Sequence, residues 1–212
     1  MDIALFGASG SIGQRILKEA HNRGHRVTVI ARNAGRIDGV PAVKGDVLDA
    51  FSIAAAVEGH HVVISAVGPR PGEDPQMVPR AAAALIEGVK EAGRLKGNLP
   101  RLLIVGGAGS LEVEPGVLLL DTPQFPREWK AIALAHRDAL EIYRQSDIDW
   151  TYFSPAIFIE PGQRTGKYRV GGDQVLMDSK GQSRISAEDY AVAMIDEVEI
   201  PKLRRRRVTI AY

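Results

Sequence analysis

Eight residues near the start of the chain, Phe6-Gly7-Ala8-Ser9-Gly10-Ser11-Ile12-Gly13, restrict its fold more than any other stretch. The apolar run Asp2-Ile3-Ala4-Leu5-Phe6 precedes the glycines, and Ile12, Ile16 and Leu17 recur at helical spacing in 11–23 after them. The glycines therefore stand where a strand turns into a helix. Gly7 permits a tight turn, Gly10 lets another group approach the backbone, and Gly13 lets helix and sheet come close. The helix N-terminus adds unpaired N–H groups and the positive end of a dipole, so the loop is shaped to receive an anion.

The rest of the chain repeats this alternation. Gly24-His25 ends the first helix before the β-branched run Arg26-Val27-Thr28-Val29-Ile30, completing a βαβ unit. The pattern then predicts a short strand at 42–43, a helix over 52–58, a strand at 62–65, a proline-rich loop, an alanine-rich helix over 81–92 and an apolar strand at 101–105. Residues 111–126 read as irregular because of Pro115, Pro123 and Pro126, and a long helix over 127–145 and a strand at 150–153 follow. Beyond Pro161 come short strands at 168–170 and 174–177, a helix over 187–198 with Ser186 and Asp189 as a capping box, and a last strand carrying Val208, Ile210 and Tyr212 in alternation. This order predicts an α/β fold: a Rossmann-type doubly wound parallel sheet, one domain over 1–212, with a small C-terminal substrate-side extension. Ligands of such sheets bind beyond the carboxyl ends of the strands where strand order reverses. The loops to inspect are therefore 7–13, 31–33, 66–69, 106–110 and 155–161.

Composition removes several kinds of chemistry. At 212 residues with 45% hydrophobic and 25% charged residues, the chain can bury a sizeable core. The absence of cysteine excludes disulfides, Cys-ligated zinc and thiol catalysis. His60-His61 lack a third ligand at suitable spacing, so no metal is expected. A net charge of +1 offers no broad basic field for nucleic acid. The run Arg204-Arg205-Arg206-Arg207 reads as a solvated lead-in to the last strand, the other reading being a basic patch for nucleic acid or membrane. No stretch approaches the roughly 20 apolar residues that span a bilayer, and the N-terminus lacks a signal-peptide pattern. The expectation is a cytoplasmic protein with neither nucleic acid nor membrane as partner; the sequence leaves the oligomeric state open.

In its strand-to-helix context the glycine loop predicts dinucleotide binding, with the pyrophosphate on Gly7, Ser9, Gly10, Ser11, Ile12 and Gly13. An acidic residue after the second strand would hold the ribose hydroxyls of NAD, and none is there. Arg32 and Asn33 stand in its place with Arg36 nearby, and a guanidinium pairs well with a 2′-phosphate, so NADP(H) is preferred over NAD(H). Ala66, Val67 and Gly68 end the central strand along the cofactor path, or the glycine simply opens the next loop.

The Gly-x-x-Gly-x-x-Gly spacing resembles that of short-chain dehydrogenase/reductases, particularly the atypical NAD(P)H-binding members called NADH-flavin reductase-like, over nearly the whole chain. Beyond the loop the resemblance rests on Gly45-Asp46-Val47-Leu48-Asp49, on Ile148-Asp149-Trp150-Thr151 with Ser154-Pro155-Ala156, and on Ile185-Ser186-Ala187-Glu188-Asp189-Tyr190-Ala191. It implies an adenine contact from Asp46 and Val47, a nicotinamide-side turn at Pro155 and Ala156, and a functional serine at Ser110. Asp46 can equally serve the start of the following helix, and Phe158 either frames the nicotinamide or belongs to the core.

The larger family's Tyr-x-x-x-Lys proton donor is missing: four residues after Tyr143 stands Asp147, and four after Tyr152 stands Ala156. Ketone reduction needs such a donor, whereas a flavin accepting hydride at N5 delocalises charge and takes its proton from solvent. The expected function is an NAD(P)H-dependent oxidoreductase passing hydride from NADPH to a small-molecule acceptor, a flavin or quinone-like ring. Ser110, after Gly106-Gly107-Ala108-Gly109, and His136, on the helix facing that loop, are the catalytic candidates. An ordinary loop serine and a surface histidine are the alternative readings. The lost pair equally suits a catalytically weak NADP(H)-binding redox sensor, and a sugar-nucleotide epimerase ranks last because the chain is short for a substrate lobe.

Overall fold

Alternate residues of Asp2–Phe6, the first strand (β1), are buried on opposite faces of the sheet, Ile3 and Leu5 on one and Ala4 and Phe6 on the other. A strand apolar on both sides must be covered on both sides, which is the condition of a parallel α/β sheet. The computed structural model describes residues 1–33, 35–37, 39–70 and 72–212, with Lys96 through its backbone only. After β1 come α1 (Ser11–Asn22), β2 (Arg26–Ala31), β3 (Gly35–Ile37), β4 (Val40–Lys44), α2 (Ala50–Val57), β5 (Val62–Ser65), α3 (Met77–Lys96) and β6 (Arg101–Val105). The second half holds β7 (Glu112–Glu114), β8 (Val117–Leu118), α4 (Arg127–Arg144), β9 (Trp150–Pro155), β10 (Phe158–Glu160), β11 (Arg169–Gly171), β12 (Arg184–Ser186), α5 (Ala187–Glu199) and β13 (Arg206–Ala211).

Among the described residues nine strands form one sheet in the order β11-β13-β9-β6-β5-β1-β2-β4-β3. The inner seven are parallel, and the two edge strands, β3 and β11, run antiparallel to their neighbours. The chain starts at β1, winds outward through β2 and β4, and then returns to β5 on the other side of β1. The switch point therefore lies between β1 and β5, and the loops that follow these two strands flank the crevice. Ile16 and Leu17 of α1 and Tyr190 and Met194 of α5 cover one face; Ile53 of α2, Leu85 and Val89 of α3 and Leu140 of α4 cover the other.

Element boundaries follow local capping. The helix expected from 52 begins at Ala50, because the Asp49 carboxylate accepts the N–H groups of Phe51 and Ser52 at 3.0 and 3.3 Å. The helix expected over 81–92 extends over Met77–Lys96, since Pro79 falls in its first turn, where no intrahelical donor is lost. Two expectations are corrected. Residues 111–126 are not irregular throughout, because β7 and β8 pair as a hairpin and a single 3-10 turn covers Leu119–Asp121. Residues 174–177 are not a strand: Gln174 alone bridges to Glu112, and the Thr209 hydroxyl donates to the Gln174 carbonyl at 3.0 Å. The capping box at α5 forms by half, with the Ser186 hydroxyl accepting the Asp189 N–H at 3.0 Å while the Asp189 carboxylate turns to other partners.

At the amino end of β6, Arg101 is 7% exposed and donates to Glu197 of α5 at 2.5 Å and to the Thr151 hydroxyl at 2.6 Å. This ion pair closes the end of the sheet opposite the crevice.

Candidate functional site

The two loops at the switch point are packed so tightly that only glycine fits. Gly7 has φ +79°, and a Cβ there would stand 2.3 Å from the Ala66 carbonyl oxygen at the end of β5. A Cβ on Gly13 would stand 2.1 Å from the carbonyl oxygen of Gly7. Gly10 differs, because its Cβ would meet nothing nearer than 3.4 Å; the Gly10 N–H bonds the Gly7 carbonyl at 3.0 Å and closes the turn. Gly7 and Gly13 thus shape the turn from within, while Gly10 keeps its outer side open. Ser9, Gly10 and Ser11 are exposed, Gly13 is buried, and Ile12 lies between. Gly10 caps α1 with no side-chain hydrogen bond, so the first N–H groups of the helix stay available to an anion. This cradle, with free N–H groups and an open outer side at Gly10, fits a pyrophosphate.

The remaining candidates spread along the carboxyl edge on both sides of the cradle. Arg32 and Asn33 follow β2 directly and are exposed, the Arg32 guanidinium lying 3.5 Å from the Glu73 carboxylate. Arg36 lies one element further, on the edge strand β3, where its guanidinium donates to the Gly39 carbonyl. Sequence reasoning passed over Lys44. It is exposed at the carboxyl end of β4 and registers with Ala31, the last residue of β2, so it adds a cation beside Arg32. The signal was available in principle, since the strand read at 42–43 needed only to be carried to its end.

Asp46 and Asp49 divide the work that one aspartate seemed able to do. Asp49 caps α2, and the Asp46 carboxylate accepts the Leu48 N–H at 3.0 Å, holding its own turn with Val47 buried beneath it. Ala66 and Val67 are partly buried and Gly68 is exposed, leading away from the cradle.

On the other side, Pro155 ends β9 and Ala156 is fully buried behind it. Phe158 is 59% exposed and therefore not a core residue. Ser110 is buried, and its hydroxyl accepts a hydrogen bond from Arg207 of β13 at 3.0 Å. His136 of α4 packs over the glycine loop, where a Cβ on Gly107 would stand 3.0 Å from that of His136. Gly106 is filled in a similar way by Tyr152, whose ring atom Cε1 would lie 2.0 Å from an added Cβ. The run 106–109 is glycine-rich because a ring from β9 and a helix press on it. Burial pushes the His136 imidazole down to about 4 and pushes the phenols of Tyr152 and Tyr143 well up. At neutral pH the imidazole is uncharged and both phenols keep their protons. A cavity of about 10 Å³ lies beneath, between Ser65, Val67, Ile104, His136, Tyr143 and Tyr152, too small for more than a water-sized guest.

The segment after β10 is tied to the cradle's own helix. Arg15 of α1 donates to the Ser11 carbonyl at 2.9 Å and to Glu188 at 2.9 Å, and Glu188 accepts the Gly162 N–H at 2.7 Å. Asp189 accepts the N–H groups of Thr165 and Gly166 at 2.8 and 2.7 Å. Sequence reading placed these two acids in a motif but did not see what they hold. A groove of about 270 Å³ lined by Gln14, Lys18, Asn22 and Arg164 runs down the flank of α1, away from its N-terminus. Among the described residues no group of acidic and histidine side chains is arranged to hold a metal ion, and no helix is long and apolar enough to cross a membrane.

Known proteins share this arrangement. The chain is 42% identical over 99% of its length to the YwnB protein of Bacillus subtilis (strain 168), of which it covers 98%. A crystal structure from Burkholderia pseudomallei, provisionally described as an exported protein, is 49% identical, with a TM-score of 0.90 and all of each chain covered. Another, from Streptococcus pneumoniae TIGR4 and provisionally described as an NADH-flavin reductase, is 32% identical, with a TM-score of 0.89, covering 100% of this chain and 99% of the other. The family model for NAD(P)H-binding proteins matches residues 7–201, from the first glycine of the cradle to the end of the last helix, and the chain belongs to that family.

Proposed function

We propose that the protein binds NADPH in preference to NADH and passes its hydride to a flavin or quinone-like ring at the carboxyl edge of β5, β6 and β9. The observation that carries the reading is the cradle, whose turn is so close-packed that a Cβ on Gly7 or Gly13 would stand 2.3 or 2.1 Å from a backbone carbonyl oxygen while the outer side of Gly10 stays open. Backbone amides of 9–13 hold the pyrophosphate, and Arg32 with Lys44, helped by Arg36, faces the 2′-phosphate. Asp46 and Val47 border the adenine, Ala66, Val67 and Gly68 the central stretch, and Pro155 and Ala156 the nicotinamide. When bound, the reduced nicotinamide supplies the hydride. The chain's own residues orient the two rings and exclude water between them.

Support for a flavin-like acceptor comes from the side chains around Gly106 and Gly107. His136 is neutral at physiological pH and Tyr152 is a buried phenol, so neither is set up as the acid that an alkoxide product needs. The Streptococcus pneumoniae relative carries a flavin reductase description, which points the same way. A cytoplasmic location belongs to the same reading, since that compartment supplies the reduced cofactor. Titration of the purified protein with NADPH and NADH, followed by cofactor oxidation with FMN, FAD and quinones, tests it. Micromolar affinity for NADPH and acceptor-dependent oxidation are the expected results. No affinity for either nucleotide overturns the binding reading, and binding without turnover on any acceptor overturns the reductase reading.

A further inference from the structure

The Tyr152 hydroxyl is enclosed by three partners. The Gly107 N–H points to it at 3.3 Å, the His136 backbone carbonyl lies at 3.0 Å, and His136 Nδ1 lies at 3.1 Å. A phenol oxygen has one proton and two lone pairs. With the phenol proton on the His136 carbonyl, the nearer acceptor, one lone pair takes the Gly107 N–H. The other lone pair is satisfied only if Nδ1 carries a proton. A neutral imidazole protonated at Nδ1 is bare at Nε2. Among the described residues nothing bonds Nε2, and it is not among the buried polar atoms left without a partner, so it keeps some accessible surface, and the ring lines the small cavity beside Val67 and Val105 at the carboxyl edge of β5 and β6.

We propose that Tyr152 is a positioning residue that locks His136 in its Nδ1–H tautomer, so that Nε2 accepts a hydrogen bond from a neutral N–H donor of the bound ligand instead of giving a proton. The tautomer rests on the phenol proton going to the His136 carbonyl; the choice of ligand rests on the proposed function. Within that reading two groups carry such a donor, the carboxamide of the nicotinamide and the imide of a flavin ring. The ring of Tyr152 is held independently of its hydroxyl, wedged against Gly106 and 6.1 Å from the ring of Tyr143. Removing only the oxygen therefore leaves the packing in place. The groups beside His136 in the small cavity are apolar, phenolic or the Ser65 hydroxyl, so no charged neighbour competes to set its state.

The test is two-bond ¹H–¹⁵N correlation spectroscopy of the imidazoles in the full-length protein, with His136→Asn used to assign the resonance. The expected wild-type spectrum near neutral pH shows His136 as one tautomer, protonated at Nδ1 and bare at Nε2. Adding NADP⁺ is expected to move the Nε2 resonance toward the hydrogen-bonded range; if it moves only when FMN is added, the flavin imide is the donor. Tyr152→Phe is expected to fold, to show a mixture of tautomers, and to lose most of the ligand-induced shift. An Nε2–H tautomer in the wild type, or a Tyr152→Phe spectrum with the tautomer unchanged, overturns the proposal. A protein that binds no nucleotide yet shows the locked tautomer overturns the proposed function and leaves the lock standing.

Discussion

Arg207 donates from a single guanidinium nitrogen to both oxygens of Ser110, the carbonyl at 2.8 Å and the hydroxyl at 3.0 Å, while its Nε holds Asp173 at 2.7 Å. The last strand thereby fixes the end of the 106–110 loop, with the buried serine hydroxyl as one acceptor of that anchor. Ser110→Ala removes one of these bonds and leaves the other two. The expected loss of stability is about 1 kcal/mol, read by chemical denaturation. NADPH affinity is expected to stay within about twofold of wild type, a small fraction of the 1.4 kcal/mol that a tenfold change represents. A tenfold loss of affinity at unchanged stability would show instead that the hydroxyl turns to the ligand.

The three glycines of the cradle are expected to separate stability from binding. Gly13→Ala places a methyl 2.1 Å from the Gly7 carbonyl oxygen, and neither helix nor sheet can yield that much, so a loss of about 3 kcal/mol is expected. Gly10→Ala meets nothing nearer than 3.4 Å and is expected to cost about 1 kcal/mol or less as a helix cap. Its methyl lies on the side the pyrophosphate approaches, and a loss of affinity of about tenfold or more is the prediction. Melting curves and nucleotide titrations of the two variants side by side decide the point.

Arg32 and Lys44 are predicted to discriminate the cofactors. Arg32→Ala is expected to weaken NADPH binding by about 10- to 100-fold, the range of a lost charge-assisted contact, and to leave NADH binding nearly unchanged. Lys44→Ala is expected to act in the same direction and less strongly, as a flexible point charge without a planar fork. Glu73→Gln frees Arg32 from its partner at 3.5 Å and is expected to tighten NADPH slightly. Equal losses for both nucleotides would mean that these cations do not meet the 2′-phosphate.

Acid stability is expected to turn on Asp189, which is 0% exposed. Burial alone would push its carboxyl up, but the hydroxyl and N–H of Thr165, the N–H of Gly166 and the Tyr212 hydroxyl outweigh burial and hold it below its ordinary value of 3.8. A carboxyl depressed in the folded state binds its proton more readily when unfolded. Its contribution is therefore complete above the unfolded-state pKa and is lost as pH falls through the folded-state value. Glu19 follows the same rule through its bonds from Arg164 and Arg23. Wild-type stability is expected to fall below about pH 4, and Asp189→Asn to be about 2 kcal/mol less stable at neutral pH with a shallower acid limb. Urea denaturation across pH measures both.

Short-range rules made much of this protein legible from its residues alone. A strand, a glycine-spaced turn and a helix N-terminus are contiguous, so Gly7, Gly10 and Gly13 announced the switch point, and the central strands announced themselves as mostly apolar runs. The short strands β3, β10 and β12 have three residues each, too few for periodicity to speak, and they form because a neighbouring strand offers hydrogen bonds. Distance along the chain concealed the rest. Arg207 lies 97 residues from Ser110, Asp189 24 from Thr165, and Tyr152 16 from His136. Composition and spacing set the winding and the anion cradle through local backbone geometry. Which hydroxyl accepts an anchor, which groups surround an imidazole and which cation stands beside Arg32 depended on strand register and packing, because those contacts exist only after distant segments have met.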